Sequence, residues 1–331
     1  MRLTTSPQKQ KFYDPRRDGV TQSILSGWLK CRQYAKLSLE GWTSLRTGAA
    51  LQFGEMAHGV LEHIYGEVRD GRRKVPPTKQ EVYKAIGKQV KAWEDSARGR
   101  RASGDAVQQL EQNTALLEAV LPHYFTHWAK EDFKDVKWVA LEQEFQIPLY
   151  GVLTRGKRDG VYAEKGGKIR IFETKTKGQI AEESMSDLLA FDFQSDFYIT
   201  TYEAETGVLP SGVRYNIIRR PGEKLNKKET LAQLHARVES RVLADPSYYF
   251  VRYRIDKTKS DLKVFQGELK DKITEFLAWW DGKLPTYRNE TACVGKFGAC
   301  HFLTVCANGN YSPFYKRERI FEELAAKGGK K

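Results

Sequence analysis

The segment LTRGKRDGVYAE (residues 153–164), followed after KGG by KIRIFETKTKG (168–178), decides the fold. Both pieces are short, alternate in polarity and are bounded by glycines, as hairpin strands are. The stretch before them, WVALEQEFQIPL (138–149), reads the same way. Three consecutive antiparallel strands are expected. Residues i and i+2 of a strand share a face, so Glu173 and Lys175 point together, and the hairpin can bring Asp159 beside Glu173. Two carboxylates and a lysine on adjacent strands suit hydrolysis with Mg²⁺ or Mn²⁺, because carboxylates are hard oxygen ligands. The lysine can orient water or stabilise charge on a phosphate. A cross-strand salt bridge on a solvated sheet face is the plainer alternative.

Outward from this hairpin the pattern is helical. Helices are expected from Thr21, a plausible N-cap, and over 49–68, 78–95 and 105–131 on the N-terminal side. The basic loop Arg98-Gly99-Arg100-Arg101 separates the last two. Beyond the strands come a helix over 184–206, strands GVRYNIIRR (212–220) and YYFVRYRI (248–255), and an amphipathic helix over 259–282. On the helix over 49–68, Gly54, His58 and Glu62 recur every four residues and share one face. His58 can offer an imidazole ligand, and Glu62 can orient it. Gln194 and Tyr198 are again four apart and can hydrogen-bond a phosphate or the lysine. Ordinary helix packing accounts for them equally well.

The ordered set G-x-x-x-H-x-x-L-E (Gly54 to Glu62), G-x-x-D (Gly156 to Asp159), E-x-K (Glu173 to Lys175) and Q-x-x-x-Y (Gln194 to Tyr198) resembles the RecB-type branch of the PD-(D/E)xK nucleases, which includes the AddB and Cas4 nuclease domains and many phage exonucleases. Each motif is weak alone; their joint order is specific. The resemblance implies an α/β restriction-endonuclease-like core, a mixed sheet flanked by helices. It implies metal ligation by His58, Asp159 and Glu173 with the Thr174 carbonyl, and catalysis by Lys175 with Gln194 and Tyr198. Arg158 stands where the first letter of the PD motif would be.

The four cysteines are Cys31, Cys293, Cys300 and Cys306. Four is the number that ligates a [4Fe–4S] cluster, and one upstream plus three downstream resembles the iron–sulfur nucleases of the AddB and Cas4 kind. Structural zinc is the alternative, although its usual C-x2–4-C knuckle is missing. The expected organisation is an N-terminal arm (1–20), a nuclease domain (21–306) with a helical insertion near 75–132 and a cluster joining Cys31 to 293–306, and a tail (307–331).

Lys plus Arg number 55 and Asp plus Glu 42, a net charge of +13. Such a surplus favours polyanionic partners, DNA foremost. Arg219 and Arg220 end one strand; Arg252 and Arg254 alternate with aromatics on the next. All four are candidate DNA contacts, with inward-packed strands as the alternative. No P-loop motif occurs. The N-terminus has no apolar signal region and the chain no membrane span, so a cytoplasm, the host's if the protein is phage-encoded, is expected. The functional expectation is a DNA exonuclease resecting ends in phage recombination, with a single-strand annealing protein as the partner such a role implies. The alternatives are a Cas4-type nuclease working with CRISPR adaptation proteins, or a non-catalytic DNA-binding module.

Overall fold

The computed structural model describes residues 12–44, 48–96, 99–180, 182–295, 298–321 and 324. Its frame is a six-stranded mixed sheet. Strand β1 (Val20–Thr21) leads into helices α1 (Gln22–Lys30) and α2 (Arg32–Leu39). Helices α3 (Ala49–Arg69), α4 (Lys79–Glu94) and α5 (Gly104–His127) follow, then strands β2 (Lys137–Leu149), β3 (Val152–Ala163) and β4 (Ile169–Lys177). Helix α6 (Phe193–Thr206), strand β5 (Gly212–Arg219), helix α7 (Leu231–Ala244), strand β6 (Phe250–Asp256) and helix α8 (Lys259–Trp280) complete the main elements.

Strand β2 lies antiparallel along the whole of β3, from Lys137↔Ala163 to Leu149↔Val152. On its other edge β3 is shared. Strand β4 pairs antiparallel with Gly160–Ala163 only, and β1 pairs parallel with Thr154 and Arg155. Between these contacts the β3 edge has no strand partner among the described residues. Beyond it, β4 and β5 run parallel from Ile171↔Val213 to Lys177↔Arg219, and β6 closes the sheet antiparallel to β5.

Helices cover both faces, as a sheet apolar on both sides requires. One core joins α1, α6 and α8 through Leu25, Phe197, Leu269 and Trp279. The other joins α3, α4, α5 and α7 through Phe53, Val60, Ile86, Leu117 and Val238. Helices α4 and α5 pack on α3 in this second core. Helix α4 starts at a capping box between Thr78 and Glu81, and Ser103 caps α5; such caps contribute about 1 kcal/mol each.

Some boundaries differ from the sequence reading. The helix expected from Thr21 is divided at Cys31, whose backbone is extended (φ −165°). The helix expected over 184–206 breaks before Asp192, because that side chain caps α6 by accepting from the Ser195 amide. Residues 12–20 are not an arm: Tyr13 is wholly buried, bonds the Gly19 carbonyl at 2.9 Å and meets Trp280 edge-on. The expected tail is also built in. Phe314–Lys316 pairs with Trp42–Ser44, and Phe321 packs against Tyr13. Residues 1–11, Arg98 and the closing KGGKK lie outside the described residues. No helix among the described residues is long and apolar enough to cross a membrane.

Candidate active site

The site forms where β3 and β4 part. Gly160↔Phe172 is their last pair, and the next residues along are Asp159 and Glu173. The Thr174 amide is taken by the Asp159 carboxylate, N to Oδ2 at 2.9 Å. On the far side of β3, Glu142 of β2 stands between Leu141↔Gly160 and Gln143↔Arg158, opposite Asp159. Its φ is +45°, in the left-handed region. For a residue with a side chain this costs on the order of 1–3 kcal/mol, and such strain persists where the surroundings enforce it. Here the hairpin changes faces: Leu141 packs in the α3 core, whereas Phe145 packs in the α6 core.

Helix α3 brings the fourth group. His58 Nδ1 lies 3.5 Å from Asp159 Oδ2 and 3.9 Å from Glu142 Oε1. Ligand atoms of His58, Glu142 and Asp159 all fall within 4.8 Å of one another. One turn before, Gly54 lets α3 press on β4, since a Cβ there would sit 2.7 Å from Thr176 Oγ1.

The electrostatics are those of a crowded anionic pocket. Burial drives the Glu173 carboxyl up to about 8, and the neighbouring Asp159 adds to it. Burial and Glu142 likewise raise Asp159, against His58. Burial alone would depress His58, yet Asp159, Glu142 and Glu173 carry it up to about 9. Burial also works against Glu142's charge, but His58 and Lys157, which pairs with it directly, hold its carboxyl below the ordinary value. Glu173 Oε2 is buried with no hydrogen-bond partner. An orphaned carboxylate oxygen beside a three-residue ligand set fits a divalent cation.

Lys175 Nζ is 2.9 Å from Glu173 Oε1 and donates to Gln194 Oε1 at 2.6 Å. Gln194 Nε2 in turn donates to the Tyr198 hydroxyl at 3.2 Å. The spacing of four on α6 thus forms a relay to the lysine. Asn216 donates through Nδ2 to Thr174 Oγ1 at 3.3 Å and accepts at Oδ1 from Arg252 Nε at 3.1 Å. Arg158 points away from the acids. Its guanidinium is buried, bonded to Glu205 and Thr201, and faces the Phe145 ring.

The sequence reading missed Glu142, which a left-handed backbone in mid-strand turns toward Asp159. Among the four arginines, Arg252 is corrected. It is buried against Asp132 at 2.7 Å and lies over Trp128, so its charge is spent inside the protein. Arg254 is half-exposed between Glu164 and Asp256. Arg219 stacks on Tyr248, and Arg220 donates to Asn113.

Cys31, Cys293, Cys300 and Cys306 line one pocket. Asn289 ties the chain segments there, its amide to Cys31 Sγ at 3.4 Å and its Nδ2 to the Lys30 carbonyl at 2.9 Å. No three of the sulfurs lie within 4.8 Å of one another. As they stand they are not drawn together around a common centre, and the expected cluster ligation is not realised in this geometry.

Comparison with known proteins adds three findings. The family model described as "PD-(D/E)XK nuclease superfamily" matches residues 20–307. No curated protein sequence matches the chain. Among solved structures, a Eubacterium rectale protein described as "Putative exonuclease" superposes with a TM-score of 0.47 at 12% identity, over 93% of each chain.

Proposed function

Because this chain belongs to the PD-(D/E)XK nuclease superfamily, and is thereby a metal-dependent nuclease, we propose that it is a DNA exonuclease whose working site is the acidic cluster at the β3–β4 parting. One observation carries the assignment to these residues: His58, Glu142 and Asp159 converge within 4.8 Å while Glu173 Oε2 lacks a partner nearby. These four side chains, with the Thr174 carbonyl, would hold Mg²⁺ or Mn²⁺. A bound divalent cation supplies Lewis acidity toward the scissile phosphate and acidifies water. Lys175, held charged by Glu173 and fixed by Gln194 and Tyr198, positions a proton donor at the phosphate. Lys157 balances Glu142 from outside the ligand set. A supply of imidazole favours Mn²⁺ over Mg²⁺ relative to an all-oxygen site.

End-labelled single and double strands, incubated with Mn²⁺, Mg²⁺ or a chelator, test this. Nucleotides should be lost progressively from an end, only with metal, and not in Glu173→Gln. Nicking of closed circles, or metal-independent cleavage, would overturn it. End resection in phage recombination accords with a chain lacking a P-loop; trimming of CRISPR prespacers is the alternative, separable by which protein partner co-purifies.

A second reading concerns the cysteine pocket. We infer that it takes a [4Fe–4S] cluster. The support is that four thiols, the number such a cluster takes, line one pocket. Protein purified without oxygen should carry iron and sulfide in near-equal amounts; stoichiometric zinc would overturn this.

A further inference from the structure

At the C-terminal ends of β4 and β5 a second cleft opens, lined by Gly178, Arg219, Arg220, Arg241, Glu223 and Tyr248. It begins at Arg219, two residues past the partner of Lys175 in the parallel register, because Lys175 pairs with Ile217 and Lys177 with Arg219. Two residues of strand span roughly 6.6 Å, so the cleft adjoins the acidic site along β4, the strand they share. From the other side, Arg220 lies 5.7 Å from the Phe53 ring. Phe53 precedes His58 by five residues on α3, about 7.5 Å along a helix.

The arginines of this cleft are not equivalent. Arg241 is paired with Glu223. Arg219 donates through Nε to the Tyr248 carbonyl at 2.8 Å and stacks on its ring. Arg220 is half-buried, and its bonds go to neutral oxygens: Asn113 Oδ1 at 3.1 Å and the Pro221 carbonyl at 3.5 Å. Its Nε is buried without a partner. Among the described residues no carboxylate neutralises it. Burial accordingly pulls its pKa down, with no compensating charge. A guanidinium taken out of water without an anion is costly unless an anion arrives, and its planar fork matches a phosphate.

We propose that this cleft is a phosphate subsite, in which Arg220, assisted by Arg219, holds one backbone phosphate of the substrate strand roughly one to three nucleotides from the scissile bond. The inference rests on the nuclease reading above. The subsite would set the strand's register relative to Lys175, so Arg220 is a binding residue for a flanking group and not part of the hydrolytic set.

The test is a methylphosphonate scan. Single-stranded oligonucleotides each carry one neutral methylphosphonate at a successive position, and kcat/KM is measured for the wild type, Arg220→Gln and Arg220→Lys. For the wild type, neutralising one particular flanking phosphate should cost about tenfold or more, chiefly in KM. In Arg220→Gln that same position should cost nothing further, and unmodified DNA should already bind as weakly, with the salt slope lowered by about one. Arg220→Lys should restore part of the loss. Coupling found only at a strand-terminal phosphate would overturn an internal subsite. If the losses from scan and substitution multiply at every position, there is no subsite. A wild type that cleaves no unmodified DNA with either metal, indistinguishable from Glu173→Gln, would defeat the nuclease reading instead.

Discussion

The acidic site and the cysteine pocket are both assembled from residues distant in sequence, but they are built in opposite senses. The acidic site is set by strand register and one helix face, and it stands formed in the protein without help. It is also unfavourable there: Glu173 is buried beside Asp159 with an oxygen unpartnered, and Glu142 sits at φ +45°. The cysteine pocket lies where residues near the two chain ends meet. Backbone contacts hold it, such as Gln33 N to the Tyr287 carbonyl at 3.2 Å and Cys300 N to the Cys293 carbonyl at 2.7 Å. Its sulfurs line one pocket, and no three of them lie within 4.8 Å of one another. The contrast teaches that function costs stability in the first region, whereas in the second a ligand would supply it.

The largest expected effect lies in the first region. Asp159→Asn and Glu173→Gln should each lower kcat by ~10³-fold or more, about 4 kcal/mol of barrier, while DNA binding persists; near-wild-type turnover in either would remove the acidic site from the chemistry. Gln194→Ala should cost between ~10- and ~100-fold, the usual range for a group that orients another, and single-turnover kinetics will place that loss in the chemical step if the relay to Lys175 is real.

A pH dependence comes next. In the metal-free protein Glu173 titrates at about 8 and His58 at about 9, so both hold protons at neutrality that a cation must displace. Metal affinity should then rise with pH up to that range, about tenfold per pH unit for each proton released. Calorimetry in buffers of different ionisation enthalpy counts those protons; binding without proton release would break the argument.

The smallest effects bear on the comparison most directly, because the two regions should differ in sign. An acid whose pKa is raised on folding weakens the folded state above its unfolded value near 4.5. Glu173→Gln should therefore raise the metal-free melting midpoint at pH 8, and the gain should fade as the pH falls toward 5. Cys31→Ser or Cys306→Ser should instead lower the midpoint of the protein as isolated by on the order of 5 °C. Two changes of the same sign would erase the distinction.

Most of the first region was legible in the sequence, since its geometry is local. A period of two places Glu173 with Lys175, and a period of four places Gly54 with His58 and Gln194 with Tyr198. Glu142 was not legible. Acids stand at both 142 and 144, and only a left-handed residue in mid-strand, which no polarity pattern encodes, turns the former toward Asp159. Arg252 looked like a surface residue on an alternating strand; its partner Asp132 lies 120 positions earlier, beyond any local pattern. Helix α7 was there to be read, with Leu234, Val238 and Val242 at intervals of four.

Arg158 bears on how such a site is recognised at all. The residue that precedes Asp159, the acid proposed to face the metal, points into a nest made by Phe145, Tyr202, Thr201 and Glu205, the last three on the helix that carries Gln194 and Tyr198. The first letter of the motif is therefore addressed to that helix and not to the cation. Among relatives its identity should be free to drift so long as residue 205 drifts with it, a charged pair exchanging for an apolar one. The second letter should tolerate no such exchange, and a search pattern that weights both letters alike would discard true members for a change in their scaffolding.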